Sequence, residues 1–310
     1  MTPSLAQIAS ALRGQVAGRQ VLAPGPGHSH RDRSLSVRLS DASPDGFIVH
    51  SHAGDDFRLC RDHVAAALGL PLDRWRETRE QDPAEAERRA ALRRRAEAQE
   101  RADAAWRLRR AVAMWQEAQH PSGTVVEAYL RSRCLDLPDE IAGAVLRFHP
   151  ACPWGEGTAP AMVSAIRSLN TGELVGVHRT ALDADARKLG RKVFGSATAA
   201  AIMLDDQAEV STGLTVGEGI ETCLAARQIG LKPVWSLISA GNIGALPVLP
   251  GIEALTVLGE VDTAPNRPSA TAFERVALRW DAAGHAVDIV MPRAGKDMND
   301  ALMAEVGACA

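Results

Sequence analysis

Three carboxylates occupy positions from which they could bind one metal ion. Glu218 closely follows a predicted strand over residues 214–216, and Glu260 and Asp262 closely follow another over 254–258. In an open α/β sheet, ligands bind beyond the carboxyl ends of the strands, so we expect these side chains at one edge. Converging like charges repel unless a cation neutralises them, and Mg²⁺ prefers carboxylate oxygens, waters and phosphates. The pattern indicates metal-assisted phosphoryl transfer or phosphodiester cleavage, with solvated loop carboxylates as the alternative.

The elements that must position these carboxylates alternate between strand and helix. From residue 214 onward, short apolar runs are separated by amphipathic segments with helical periodicity. The predicted strands are 214–216, 234–238, 254–258 and 286–291, and the predicted helices are 220–229, 269–283 and 297–306. This order predicts an α/β domain over residues 207–310, with a mostly parallel sheet flanked by helices.

Three segments resemble the motifs of the Toprim family, in the order and on the elements where that family has them. They are Val216-Gly-Glu-Gly-Ile-Glu-Thr222, Glu260-Val-Asp262 and Gly295-Lys-Asp-Met-Asn-Asp300. The first and third are similar to the versions found in the phage and plasmid primase-like branch. The resemblance implies that Glu218 is a general acid/base or a metal ligand. It also implies that Glu260 and Asp262 hold Mg²⁺ or Mn²⁺, with Asp297 or Asp300 as an outer ligand.

At one position the chain departs from the Toprim pattern, which begins its second motif with aspartate where this sequence has Glu260. The extra methylene moves the carboxylate by about one bond length, and the near-octahedral shell of Mg²⁺ tolerates misplacement poorly. Glutamate could coordinate directly, coordinate through water, or mark a weakened or lost activity.

A basic cluster precedes the α/β domain. Strands are predicted over 161–168, 174–180 and 199–204 in an α+β subdomain of residues 119–206. The cluster includes His178, Arg179, Lys188, Arg191 and Lys192, and the third Toprim-like motif adds Lys296. The segment resembles the basic subdomain before Toprim in primase-like proteins, as does Tyr129-Leu-Arg-Ser-Arg133. The resemblance implies binding of template and nucleotide phosphates, which lysine and arginine neutralise and orient. A solvated loop over 187–192 is the alternative.

The first 72 residues resemble a primase zinc ribbon. A hairpin is predicted over 34–39 and 47–51 and a helix over 60–70. Related sequences have zinc ligands at the positions matching Gly25, His28, Ser51 and Asp55, but only His28 is a good zinc ligand here. Zinc is therefore not expected, and packing would hold the ribbon. Residues 73–118 predict a charged linker helix, with nucleic-acid contact through Arg93, Arg94 and Arg95 as the alternative.

Composition limits the class of protein without identifying it. A net charge of −3 does not indicate a nucleic-acid binder, and 4% aromatic residues argue against stacking platforms that dominate binding. The five cysteines form no Cys-x-x-Cys pair, which favours a reduced protein. Neither a signal peptide nor a membrane-spanning run is found, so a cytoplasmic protein without a membrane partner is expected.

Together these patterns predict a primase-like nucleotidyltransferase that uses Mg²⁺ to synthesise short primers on single-stranded DNA during phage or plasmid replication. Its partners would be single-stranded DNA and nucleoside triphosphates. Because no Walker A pattern is present, any replicative helicase would be a separate chain. The alternatives are a Toprim nuclease and a catalytically weakened DNA-binding accessory protein. A topoisomerase is disfavoured because Tyr129, the only tyrosine, lies outside a suitable context.

Overall fold

The computed structural model of the protein describes residues 3–40, 42–72, 83–261 and 268–309. The chain divides into two compact units, residues 1–96 and 97–310. Asp262 and the predicted helical residues 73–82 lie outside the described residues. Within the described ranges, no helix is both long enough and apolar enough to cross a membrane. The predicted domain boundaries stay predictions.

The amino-terminal unit is a four-stranded antiparallel meander with two helices. Its elements are α1 (Leu5–Ala11), β1 (Gln15–Ala17), β2 (Gln20–Ala23), β3 (Leu35–Leu39), β4 (Phe47–Ser51) and α2 (Phe57–Ala67). The strands pair in the order β1-β2-β3-β4 around a core that includes Ile8, Val37 and Val64. The predicted hairpin is thus confirmed as β3 and β4. The sequence did not reveal β1 and β2, because three and four residues are too few to show alternation.

The four positions that match zinc ligands meet in this unit. Ser51 Oγ donates a 2.8 Å hydrogen bond to Asp55 Oδ2, and His28 Nε2 lies 3.2 Å from Asp55 Oδ1. A Cβ added to Gly25 would lie 2.8 Å from Asp55 Oδ2, so glycine permits the approach. On the other side of the imidazole, His28 Nδ1 lies 2.9 Å from Asp32 Oδ2. Hydrogen bonds through His28 therefore join the segments where related ribbons hold zinc. That the unit is a degenerate zinc ribbon stays a prediction.

The carboxy-terminal unit contains one continuous sheet with helices on both faces. The helices are α3 (Pro83–Glu117), which begins in the amino-terminal unit, α4 (Val125–Ser132), α5 (Ile220–Gln228), α6 (Ala240–Ala245), α7 (Pro268–Asp281) and α8 (Met298–Cys309). The strands are β5 (Leu146–Trp154), β6 (Gly157–Ser168), β7 (Leu174–Leu182), β8 (Lys188–Gly195), β9 (Ala200–Met203), β10 (Gly213–Gly217), β11 (Val234–Ser236), β12 (Ala254–Leu258) and β13 (Ala286–Val290).

The sheet has a parallel half and an antiparallel half. Its strands follow the order β13-β12-β10-β11-β9-β6-β7-β8, with β5 paired to β6. Strands β13, β12, β10 and β11 are parallel, whereas β9 joins β11 and β6 antiparallel to both. Helices α4, α5 and α8 pack through Leu130, Leu224 and Met298 on one face of the sheet. On the other face, α6 and α7 contribute Ile243 and Phe273. This arrangement confirms the predicted fold class.

Three elements were not predicted from the sequence. Residues 188–195 form strand β8, so the alternative of a solvated loop over 187–192 is wrong. Strand β5 was missed because it contains Pro150 and Pro153, and proline argues against a strand unless a bulge accommodates it. The register of β5 shifts between His149 and Cys152, at such a bulge. Helix α6 was missed because its six residues include two glycines, although Ser239 caps its amino end.

The imidazole of His28 is expected to titrate above its ordinary range. Its hydrogen bond to Asp32 raises the pKa of His28 against an opposing effect of burial, and the charge of Asp55 adds to the rise. Because the folded-state pKa is raised, the stabilising contribution is complete below about pH 6.5 and is lost as pH rises through the folded value. NMR titration of the full chain should therefore give a pKa above 6.5 for His28.

Matched variants separate this pairing from general charge effects. Asp32→Asn should lower the His28 pKa, whereas Asp62→Asn should leave it unchanged, because Asp62 pairs with Arg61 instead. Equal titration curves in wild type and Asp32→Asn would contradict the assigned hydrogen bonds.

Candidate functional site

Glu218 lies at the carboxyl end of β10, between that strand and α5. Its carbonyl oxygen accepts a 2.7 Å hydrogen bond from Ser236 Oγ and a 3.0 Å bond from Ile238 N. The end of the neighbouring strand β11 thus fixes the backbone that carries Glu218. The carboxylate itself is largely enclosed, with 17% of the side chain exposed.

Glu260 follows β12, the strand on the other side of β10. The amide of Val261 donates a 2.9 Å hydrogen bond to the carbonyl of Lys296, which ties the Glu260 segment to the loop before α8. Burial, followed by the charges of Glu218 and Asp297, raises the pKa of Glu260 to about 7, against smaller lowering effects of Lys296 and Arg191. Glu218 and Asp297 thus lie close enough to Glu260 for their charges to repel its carboxylate, as the predicted convergence requires.

The structure brings the predicted metal ligands together only in part. Glu218, Glu260 and Asp297 interact electrostatically at one edge of the sheet, while Asp262 lies outside the described residues. Among the residues that the structure describes, no three histidine, cysteine, aspartate or glutamate side chains are placed to hold one metal ion. The described carboxylates alone do not complete a metal site in this conformation.

The segment 295–300 turns tightly before α8 and separates the roles of its two aspartates. Gly295 has a φ of 72°, and a Cβ there would clash with the Cβ of Asp300. Asp300 Oδ2 accepts a 3.0 Å hydrogen bond from the amide of Lys296, which closes the turn. Asp297 Oδ1 accepts from the amides of Asn299 and Asp300 at the start of α8. Asp297 also lines the cleft beside Glu260, whereas Asp300 serves the turn.

The basic cluster is divided between the two faces of β8. In the register with β7, Arg191 faces Thr180 and Lys192 faces Arg179, so adjacent side chains leave in opposite directions. Arg191 Nη2 lies 3.4 Å from Glu218 Oε1. By contrast, Lys192 Nζ lies 4.7 Å from the ring centroid of Trp154 on the other face. The predicted cluster is therefore two surfaces rather than one.

His178 and Arg179 are buried on β7, the strand that pairs with β8. Burial lowers the pKa of His178 to about 4, so its imidazole is neutral at pH 7. Arg179 Nη1 donates a 2.6 Å hydrogen bond to the carbonyl of Pro153, and its guanidinium lies between the rings of Trp154 and Phe194. Their predicted part in nucleotide or nucleic-acid binding stays a prediction, and their burial favours support of neighbouring side chains.

Glu221 was not among the predicted site residues, although it lies within the first Toprim-like motif. Its Oε1 accepts a 2.5 Å hydrogen bond from the Tyr129 hydroxyl and lies 2.7 Å from Lys188 Nζ. Burial opposes ionisation, but the charge of Lys188 and the two hydrogen bonds lower the pKa of Glu221 to about 2. A buried, ionised glutamate thus joins α4, α5 and β8. The sequence feature that could have indicated this contact is Tyr129, the single tyrosine, which lies in a segment that resembles the family pattern.

The ion pairs require the sheet to bend. Strands β10 and β8 are separated by β11, β9, β6 and β7. Five strand spacings would place them about 24 Å apart in a flat sheet, beyond the reach of an arginine and a glutamate. The observed 3.4 Å contact between Arg191 and Glu218 shows that β8 returns over the carboxyl ends of the parallel strands. Between them lies a cleft of about 580 Å³, lined by Lys188, Arg191, Glu221, Glu260, Lys296 and Asp297.

The protonation of Glu260 predicts a pH-dependent stability. Its folded-state pKa of about 7 exceeds the ordinary 4.5, so the folded state binds more protons between those values and stability falls as pH rises through them. Glu260→Gln removes the charge while keeping the shape. The variant should be more stable than wild type at about pH 8, with little difference at about pH 4.

Urea denaturation of both proteins across this pH range measures the effect. Glu127→Gln is the matched control, because Glu127 pairs with Arg131 on the exposed face of α4. If Glu260→Gln and wild type lose stability in parallel between pH 5 and 8, Glu260 does not carry the proton.

Comparison with known proteins agrees with this geometry in the carboxy-terminal half. Residues 213–308 match the Toprim domain family, and residues 105–204 match a domain of unknown function, DUF7146. No curated protein matches the chain significantly.

Solved structures with a similar arrangement include DNA primase domains. The DnaG primase catalytic domain bound to ssDNA is 16% identical, with 67% of this chain and 78% of that chain covered and a TM-score of 0.48. A DNA primase domain from Pseudomonas aeruginosa is 16% identical, with 64% and 75% covered and a TM-score of 0.45. The family match shows, as the three motifs predicted, that residues 213–308 are a Toprim domain.

Proposed function

We propose that the protein is a Mg²⁺-dependent, primase-like nucleotidyltransferase that synthesises short primers on single-stranded DNA. The observation that carries the proposal is the placement of a basic strand over the acidic edge of a Toprim domain, with Arg191 at Glu218 and Lys188 at Glu221. A metal bound at the acidic edge would serve hydrolysis and polymerisation alike. Polymerisation also needs cations that bind and orient a nucleoside triphosphate, and β8 supplies them at the same cleft.

The donor atoms at this edge fit a hard divalent cation. Glu218, Glu260 and Asp297 offer carboxylate oxygens, and Asp262 would add another, as Mg²⁺ or Mn²⁺ requires. When bound, the ion would neutralise phosphate charge and lower the pKa of the attacking hydroxyl. The chain itself contributes Arg191 and Lys296 to orient phosphates, and Lys188 adds positive charge from its pair with Glu221. Before an ion binds, the pKa of Glu260 is about 7, so binding of the ion would displace its proton.

The face of β8 opposite the cleft supports binding of a single strand. Arg179 lies 5.9 Å from the Trp154 ring centroid and 5.5 Å from that of Phe194, and Lys192 covers Trp154. The Trp106 ring packs edge-on at 6.0 Å against Phe194 and is 53% exposed. Composition argued against an aromatic platform, but the fold gathers scarce aromatic rings on one basic surface. Bases stack on such rings, while the exposed Lys192 would neutralise a phosphate.

Glu260 favours a weakened activity. It stands where the family pattern has aspartate, and no complete metal-binding group is found among the described residues. These observations favour the accessory-protein alternative, which the same assay distinguishes from a primase and from a nuclease. A separate helicase and a phage or plasmid setting remain part of the proposal.

Primer synthesis on single-stranded DNA with labelled nucleotides tests the function. Glu218→Gln and Asp262→Asn should each reduce product formation by at least about 100-fold, because each removes a charged oxygen at the reacting phosphate. Arg131→Ala should retain activity, since its 78% exposed side chain pairs with Glu127 on the surface of α4. Degraded template would favour a nuclease. Bound DNA with neither product would favour the accessory role.

Binding of single-stranded DNA at several salt concentrations tests the surface around Trp154. Lys192→Ala should weaken binding and reduce the slope of log K against log salt by about 0.7, the value for one phosphate contact. Trp154→Ala should lower affinity with little change in slope, because stacking does not release counterions. Trp154→Phe should restore most of the affinity, and Arg131→Ala should resemble wild type. An unchanged slope for Lys192→Ala would remove this lysine from the binding surface.

A further inference from the structure

Two carboxylates at the acidic edge are each paired with a cation from β8. Arg191 Nη2 lies 3.4 Å from Glu218 Oε1, and Lys188 Nζ lies 2.7 Å from Glu221 Oε1. Both pairs cross from the antiparallel half of the sheet to the Toprim domain. In this conformation Glu218, the proposed metal ligand of the two, is therefore already paired with a cation of the chain itself.

The two pairs differ in how firmly they are held. Glu221 is 8% exposed and accepts a second hydrogen bond from Tyr129, so its pair with Lys188 is enclosed and doubly supported. Arg191 is half exposed and contacts Glu218 through one long hydrogen bond. Water can solvate the half-exposed guanidinium of Arg191 once it leaves Glu218, whereas breaking the enclosed pair of Lys188 and Glu221 strands a charge. Of the two cations, Arg191 is accordingly the one that another ligand can displace from its carboxylate.

Arg191 also acts on the second carboxylate of the edge. Its charge lowers the pKa of Glu260, opposing the raising effects of burial, Glu218 and Asp297. One guanidinium thus moderates the repulsion between the two motif glutamates. A divalent cation between the same carboxylates would do the same.

The backbone allows this side chain to move without disturbing the strand. Lys188 fixes the start of β8 at Glu221, and the main chain of Arg191 pairs with Thr180 in β7. Strand β8 is the last of the sheet order, and its Leu189 and Val193 are exposed beside Arg191. The guanidinium can leave Glu218 by side-chain rotation alone.

We propose that Arg191 is an internal counter-ion of the Toprim acidic edge: it occupies Glu218 until Mg²⁺ binds there, and the released guanidinium then binds a phosphate of the incoming nucleotide. Lys188 keeps its place at Glu221 throughout. The inference rests on the proposed function, because it requires Mg²⁺ at Glu218. Arg191 would therefore weaken the binding of Mg²⁺ and strengthen the later binding of the nucleotide phosphate.

Calorimetric titration of the full chain measures both effects without catalysis. With Mg²⁺ alone, Arg191→Ala should bind about 2- to 5-fold more tightly than wild type, the range expected when an exposed ion pair no longer competes. With inorganic tripolyphosphate at saturating Mg²⁺, the same variant should bind several-fold more weakly. Lys192→Ala is the matched control, because it removes a neighbouring charge that faces away from Glu218. It should leave the Mg²⁺ affinity at the wild-type value.

Three other outcomes would overturn the inference. Unchanged or weaker Mg²⁺ binding by Arg191→Ala, with normal binding by wild type, overturns the counter-ion role and leaves the proposed function intact. An equal gain in Lys192→Ala also overturns it, because the effect would then be general charge. If neither wild type nor Arg191→Ala binds Mg²⁺ at millimolar concentration, the proposed function fails together with the inference.

Discussion

Repulsion between carboxylates at the end of a parallel sheet is the constraint on which the rest of the carboxy-terminal unit depends. Glu218 and Glu260 are carried on neighbouring strands, and Asp297 approaches from the loop before α8. Such a group is unfavourable unless positive charge or protons reach it. The bend of the sheet supplies positive charge by returning β8 over the acidic edge. Helix α4 supports this geometry, because Tyr129 contacts Glu221 and Arg133 bonds Asn299 at the start of α8.

Local patterns predicted the parallel half of the sheet well. Strand β12 was predicted with its observed ends, because a short apolar run between turns has few other interpretations. The placement of Glu218 and Glu260 at one edge followed from the rule that parallel strands share a carboxyl end. Asp297 was predicted at the same edge because it lies in the third Toprim-like motif. These inferences needed only neighbouring strands and short spacings.

The contacts across the cleft could not be predicted in the same way. Tyr129 and Glu221 are 92 positions apart, and Arg133 and Asn299 are 166 apart, so no periodicity relates them. The division of the basic cluster depended on knowing that residues 188–195 are a strand. As a loop, Arg191 and Lys192 would belong to one surface; as a strand, they face opposite sides. The aromatic surface around Trp154 was hidden for a related reason, since composition counts rings without locating them.

The two units share one feature: a charge or proton of the chain stands at positions where the sequence resemblance predicts metal ligands. In the amino-terminal unit, His28 lies between Asp32 and Asp55 at the positions that match zinc ligands. At the acidic edge, Arg191 pairs with Glu218, and Glu260 holds a proton near neutral pH. The two cases differ in reversibility. Carboxylates pair with both ring nitrogens of His28, so the imidazole has no ring nitrogen left for another ligand. Arg191, by contrast, is half exposed and forms a single bond to Glu218. The first arrangement therefore serves structure, and the second leaves the acidic edge open to a ligand.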